Sequence, residues 1–240
     1  MKVINLISGP RNISTALMYS FAQRKDFEVL DEPFYGYYLK QADLAITHPS
    51  HMEIIHNMEV DEQSVVDYIN DIAKETNIFI KGMAHHFLSD EPEYLSDWEN
   101  VVLVRHPRKL ISSFSKVISN PTLADIGIKK ASELVTYLNS IGKAPVVIDS
   151  DELMINPEAY LVKLCDLLHI GFDPCMLSWK KGGIPQDGIW ARHWYKKVHQ
   201  TTGFEIQQKK PAEVPPHLGP LLAEALPFYE SLQPYILKNE

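Results

Sequence analysis

The chain has 240 residues, 45% of them apolar and 22% charged, which is the balance of a folded globular protein with one large core and excludes disorder as the default. Its formal charge of −8 argues against a general nucleic-acid or membrane-surface binder, so any anion site must be local. No run of 18 apolar residues exists, the N-terminus enters a strand without a signal-peptide core, and Cys165 and Cys175 form neither a CxxC motif nor a metal site, so a reduced, cytoplasmic location is the simplest expectation.

Val3, Ile4, Leu6 and Ile7 form an apolar run, as expected of a strand buried on both faces of a parallel sheet. Gly9 and Pro10 end it. Asn12, Ser14 and Thr15 are N-cap candidates, and Leu17, Met18 and Phe21 recur at helical spacing, so a helix begins near Ile13 or Ser14. The loop therefore ends on a helix N-terminus, where free backbone N–H groups and the helix dipole favour an anion and Arg11 adds a full charge. A Walker A loop would need a second Gly and a Lys that are absent, which removes most support for ATP or GTP hydrolysis.

Residues 27–32 read as a second strand stopped at Pro33, with Glu32 at the edge that faces ligands in a parallel sheet. The stretch 34–56 is rich in Tyr and His and reads as helix plus loop covering the site. Val65, Val66, Tyr68, Ile69 and Ile72 predict a helix within 61–75, crossing to a strand at 77–81. A fourth strand at 101–105 leads through His106-Pro107 to a helix at 109–118. Residues 124–141 read as one longer helix, 145–149 as a fifth strand, and Asn156-Pro157 opens a helix running to 169. The stretch 180–210 is polar, basic and aromatic by turns, and a last helix spans 217–235, interrupted by Pro227. Strands alternating with helices predict a single α/β domain over 1–240 with a mainly parallel sheet and right-handed crossovers.

Arg11 follows the first strand, Lys81 the third and Arg105 the fourth. In a parallel sheet those ends share one edge, so the three charges converge on a cationic pocket of an acidic protein. The bland alternative is that Lys81 and Arg105 are exposed boundary residues.

On these residues the chain resembles the sulfotransferase family. Pro10, Arg11, Asn12, Ile13, Ser14 and Thr15 look like its 5′-phosphosulfate loop, Pro-Lys/Arg-Ser-Gly-Thr-Thr, and the segment from Arg105 to Ser113 resembles its 3′-phosphate motif, an Arg and a Ser around Asn-Pro-Lys/Arg. Lys180, Lys181 and Gly182, followed by Trp190, are similar to the segment that closes over the nucleotide, and Asp151-Glu152-Leu153 with Pro157 sits where the family has Glu-Asp-Leu and a helix-opening Pro. The resemblance covers residues 3 to about 195. It implies a three-layer α/β/α domain, P-loop nucleoside-kinase-like, with 180–210 as a closing or lid segment. It also implies 3′-phosphoadenosine 5′-phosphosulfate (PAPS) as co-substrate, a hydroxyl or amine acceptor, and no metal. Arg11 would stabilise charge on the leaving phosphate, Ser14 and Thr15 would hold the 5′-phosphate, and Arg105 and Ser113 the 3′-phosphate. Sulfuryl transfer asks mainly for alignment and for cations where charge accumulates.

An acceptor hydroxyl needs a general base. Glu32 resembles the catalytic Glu of carbohydrate-directed and bacterial members and leads the candidates. Next come His85 and then His86, which follow Lys81 as a His follows a Lys in the small-molecule members, at a different spacing. A structural role for Glu32 would be a helix cap or a salt bridge to Arg11. His48, His51, His56, His193 and His199 are too irregularly spaced for zinc. Trp190, Trp194 and Tyr195 read as a lid face or as core.

Two departures from the family stand out. Ile13 replaces the loop Gly, so the backbone there is expected to avoid the left-handed region. Ala16 and Ser150 occupy positions where the family stacks or contacts adenine with Trp and Tyr, so other aromatics supply that contact or the phosphates carry the binding. The second class of reading is a catalytically inactive phosphonucleotide-binding module of the same fold. The aromatic segments 34–38 and 190–195 hint at a sugar or an aromatic alcohol as acceptor, and the oligomeric state is left open.

Overall fold

The computed structural model of the chain describes residues 1–42, 48–205 and 212–239. Among them, strands β1 (Val3–Ser8), β2 (Phe27–Asp31), β3 (Asn77–Met83), β4 (Glu99–Val104) and β5 (Val146–Asp149) form a single sheet in the order β2-β3-β1-β4-β5, every pairing parallel. β1 lies in the centre and is buried along its whole length, which explains its unbroken apolar run. Strand alternation divides the core into two layers. Val3, Ile7, Ile78, Ile80, Val102, Val104 and Val147 face one side, and Ile4, Leu6, Val29, Phe79, Val101, Leu103 and Ile148 face the other.

Helices cover both faces. On the first lie α4 (Glu62–Ile72), α5 (Pro107–Phe114), α7 (Ile128–Ser140) and α11 (Gly219–Leu232), through Val65, Ile111, Leu134 and Ala225 among others. On the second lie α1 (Ser14–Phe21), α3 (His51–Asn57) and α9 (Pro157–Leu167), through Leu17, Ile54 and Leu161. The shorter α2 (Tyr35–Gln41), α6 (Leu123–Ile126), α8 (Ser150–Leu153) and α10 (Ala191–Trp194) sit in the connections. This is the three-layer α/β/α arrangement expected of the sequence. No helix among the described residues is long and apolar enough to cross a membrane.

Five expectations need correction. The last helix is not interrupted at Pro227: α11 runs through it from Gly219 to Leu232. The helix read across 124–141 is two, broken at Gly127, whose φ of +69° belongs to the left-handed region. β3 continues two residues past Lys81. The N-cap of α1 is Ile13, without any side-chain cap bond: the Asn12 amide instead donates to the Leu103 carbonyl at 3.0 Å, tying the loop to β4. Ile13 also takes the left-handed conformation it was expected to avoid, at φ 65°. For a β-branched residue that costs about 1–2 kcal/mol, and the surrounding contacts must hold it there. Asn156, by contrast, caps α9 as expected, with Pro157 in its first turn. Parts of two expected stretches, 43–47 and 206–210, lie outside the described residues.

Gly9 has a packing reason. A Cβ there would lie 2.8 Å from the Ile126 carbonyl oxygen, so the first loop is pressed against the α6–α7 junction. Gly9→Ala is expected to lower stability by about 1–3 kcal/mol, the usual cost of overpacking, seen as a lower urea midpoint at unchanged slope; an unaltered midpoint would contradict this close approach.

Candidate active site

The C-terminal edge of the sheet opens into a cavity of about 1130 Å³, where open parallel sheets bind ligands. Its walls include Pro10, Arg11, Asn12, Ile13, Ser14 and Thr15 from the first loop, Arg105 and Ser113 around α5, and Glu32, Lys81, His85 and His86. Residues spread over more than a hundred positions therefore share one space. The groups fall into two ends.

At one end the Arg105 Nη1 donates to the Arg11 carbonyl at 2.6 Å and the Arg11 Nε donates to the Ser113 hydroxyl at 3.2 Å. Local chemistry sets this up: β4 ends at Val104, His106 caps α5 by accepting from the Arg108 amide at 3.2 Å, and Pro107 opens the helix. Arg105 is thereby held over the first loop, itself bent by positive φ at Arg11 and Ile13. A third cation, Lys197, joins them; partial burial and then the nearness of Arg11 and Arg105 pull its pKa below the ordinary lysine value. Three like charges crowded together repel unless an anion lies between them. Two further features mark vacant donor capacity: the Arg105 Nε is buried without a partner, and α1 begins at Ser14, so its first N–H groups have no intrahelical acceptors.

At the other end lies a buried charge network. The Lys81 ammonium, 2% exposed, donates to Asp31 Oδ1 at 3.2 Å, to the Tyr195 hydroxyl at 2.6 Å and to Glu32 Oε1. Tyr195 in turn donates to Asp31 at 2.7 Å and receives the Trp190 indole N–H at 3.1 Å, while the Gly188 amide reaches the second Asp31 oxygen at 2.9 Å. His86 Nε2 stands 3.9 Å from Glu32 Oε2. One ammonium thus serves two carboxylates. Burial works against the lysine charge, but Asp31 and Glu32 together hold its pKa up. Glu32 is left with the deficit: burial, partly offset by Lys81 and reinforced by Asp31, pushes its carboxyl up to about 7. The Glu32 backbone is also left-handed, at φ 47°, which turns its side chain out of the β2 alternation. Its partner is Lys81, not the Arg11 considered from sequence. Burial drives His85 down to about 4 and His86 well below its ordinary value, so both imidazoles are neutral near pH 7.

Lys81 is therefore neither an exposed boundary residue nor the end of its strand. The expected closing residues Lys180, Lys181 and Gly182 do not reach the cavity. Ser178 bridges to Gly203 and the Trp179 amide donates to Thr202, which turns the two lysines outward, exposed. The later part of the same segment lines the cavity instead, through Trp190, Trp194, Tyr195, Lys197 and Phe204. Lys197 and Asp31 are side chains of this candidate site that sequence reading missed; Lys197 lies beyond the basic motif, and Asp31 carries no signal apart from its place beside Glu32. Among the described residues no group of three or more His, Cys, Asp or Glu is arranged to hold a metal ion.

Removing one partner from a buried ion pair costs about 3–5 kcal/mol, so Lys81→Met is expected to destabilise strongly. The sign with pH is fixed: carboxyls whose folded pKa is raised stabilise below their unfolded value and lose that contribution as pH rises through the folded one. Denaturant unfolding should therefore show a larger loss at pH 8 than at pH 5, and equal losses would contradict the network.

Comparison with known proteins bears on the family and the fold. The chain is similar to two proteins of Arabidopsis thaliana, branched-chain-amino-acid aminotransferase-like protein 2 (40% identity over 235 residues) and protein 1 (39% over 237). The matches cover 97% and 98% of this chain but 42% of each relative, so the chain spans about two-fifths of their length. Its fold is shared with the sulfotransferase domain of the Synechococcus PCC 7002 olefin synthase (TM-score 0.60, 17% identity, 93% of this chain and 94% of that one). It is shared as well with the sulfotransferase domain from the curacin biosynthetic pathway (0.56, 16%, 97% of each) and a sulfotransferase from Alicyclobacillus acidocaldarius (0.52, 12%, 97% and 96%). With the sulfotransferase-domain profile matching residues 1–235, from the first strand to the last helix, the chain belongs to the sulfotransferase domain family.

Proposed function

We propose that the chain moves a sulfuryl group from PAPS to a hydroxyl or amine of a small-molecule or carbohydrate acceptor. The observation that carries this reading is the shared cavity, with three crowded cations at one end and a buried carboxyl of near-neutral pKa at the other. The donor set fits the nucleotide: guanidinium groups offer directed, charge-assisted bonds to phosphate and sulfate oxygens. In this reading Arg105 and Ser113 hold the 3′-phosphate. Arg11, Ser14, Thr15 and the first N–H groups of α1 hold the 5′-phosphosulfate. Lys197 takes the closing role assigned by resemblance to Lys180 and Lys181. Phe204, Met154 and Ile155 line the same cavity as Ala16 and Ser150 and offer apolar surface for a base. When bound, the nucleotide supplies the electrophilic sulfur.

The protein's own part is alignment and proton transfer. Glu32 accepts the acceptor's proton as the acceptor oxygen bonds to sulfur. The bond from sulfur to the 5′-phosphate oxygen breaks, and Arg11 stabilises the charge left on that phosphate. A base works best with a pKa near the working pH, which favours Glu32 over His85, held near 4. The charge that develops is met by guanidinium groups, so this arrangement calls for no metal.

Binding and kinetic measurements test the assignment. By calorimetry, Arg105→Ala is expected to weaken adenosine 3′,5′-bisphosphate by about 10–100-fold, the value of a charge-assisted hydrogen bond, while adenosine 5′-phosphate loses far less; equal losses would remove Arg105 from the 3′-phosphate. With an active acceptor, Glu32→Gln is expected to cut kcat by about 10²–10⁴ with bisphosphate affinity retained. The base must be deprotonated, so wild-type kcat/KM should rise with pH through about 7 and then level; a rise centred near 4 would point to His85. Nucleotide binding without transfer across a wide acceptor panel would instead make the chain a phosphonucleotide-binding module.

A further inference from the structure

The cavity beyond Glu32 is walled by flat rings. Tyr35 stacks on His86 (centroids 4.7 Å apart, planes 14° apart), gives or takes a hydrogen bond with His48 Nδ1 at 2.7 Å, and meets Trp190 edge-on at 5.0 Å. Tyr38 stacks on His86 at 4.8 Å and meets His85 and His48 edge-on at 5.1 and 5.7 Å. Six rings thus brace one another into a rigid chamber next to the base.

Its charge is as defined as its shape. Burial pushes the three imidazoles, His48, His85 and His86, towards the neutral form. Among the described residues the one ammonium at this end is Lys81, already divided between Asp31 and Glu32. A further carboxylate, Asp125, lines the same wall and acts on Tyr38, His48 and His85. Asp125 accepts from the Thr122 amide and hydroxyl at 2.7 Å each, neither of them a cation. With Glu32 ionised, two carboxylates, Glu32 and Asp125, line this end of the cavity, and the Lys81 ammonium is already shared with the buried Asp31. The opposite end, with Arg11, Arg105 and Lys197, has the reverse sign.

An anionic group entering the chamber would lose its water, find no unengaged cation among the described residues, and meet Asp125. We propose that the chamber selects its acceptor by charge, taking an uncharged or ammonium-bearing alcohol and rejecting acceptors that carry a carboxylate or other anion. The inference rests on reading Glu32 as the base, because that fixes which end of the cavity receives the acceptor.

Three probes differ in charge on the same ring: benzyl alcohol, 4-(hydroxymethyl)benzylamine and 4-(hydroxymethyl)benzoate. Binding is read by tryptophan fluorescence, through Trp190 and Trp194, with adenosine 3′,5′-bisphosphate present, and needs no turnover; kcat/KM is read with PAPS. The benzoate is expected to be at least about tenfold weaker than both others by either readout, since like-charge juxtaposition is costly, and Asp125→Asn should narrow the gap between benzylamine and benzoate. A benzoate that binds as well as the benzylamine overturns the proposal, as does failure of all three to bind while the bisphosphate still does. If the binding order holds but no probe is sulfated, charge selection stands and the transfer reading fails.

Discussion

A single buried ammonium shared by two carboxylates is the interaction on which the site depends. Lys81 sits inside a central strand, where an ion survives only if it is paired, and the sheet delivers Asp31 and Glu32 from the neighbouring strand, paired in register with it. Because one positive charge cannot satisfy two largely buried negative ones, the carboxyl with fewer hydrogen-bond donors is driven towards protonation. Asp31 has Tyr195 and Gly188 as well as Lys81; Glu32 has less. A near-neutral carboxyl pKa is thus a consequence of packing. The same network ties the stretch from Gly188 to Tyr195 to the sheet edge, since both residues bond Asp31.

The opposite end of the cavity is held by backbone strain as much as by charge. Arg11 and Ile13 both lie in the left-handed region, as does Glu32 across the cavity. Non-glycine residues in that region cost free energy and persist where surrounding contacts over-determine them. Here those contacts are the Asn12 bond to Leu103, the Arg105 bond to the Arg11 carbonyl, and the close packing of Gly9 on Ile126. These contacts are all internal to the chain, so its own packing fixes the bend of the loop.

Much of this was legible in the sequence, for physical reasons that can be named. Continuous apolar runs report strands buried on both faces, and strand-to-helix alternation reports a parallel sheet, so the layers and the ligand-bearing edge followed directly. The first loop and the segment from Arg105 to Ser113 were readable because their residue types sit at fixed local spacing. What escaped depends on distant pairing or on single backbone angles. Gly127 lies inside an otherwise helical pattern, yet its left-handed φ of +69° separates α6 from α7. Ile13 looked incompatible with a left-handed turn until tertiary contacts are counted. Lys180 and Lys181 matched a motif locally, but the bridge from Ser178 to Gly203 turns them away, and Lys197 is the lysine of that stretch that lines the cavity. The bond between Tyr195 and Asp31, 164 residues apart in sequence, leaves no local trace at all.

The central claim is that packing around Lys81 leaves Glu32 as a carboxyl poised near neutrality. It is tested most directly by carbon-13 NMR of the glutamate side-chain carboxyls across pH 4 to 9, with the Glu32 resonance identified by its loss in Glu32→Gln. The account predicts a carboxyl carbon that titrates near pH 7. A Glu32 signal that titrates at the ordinary glutamate value near 4.5 would contradict it.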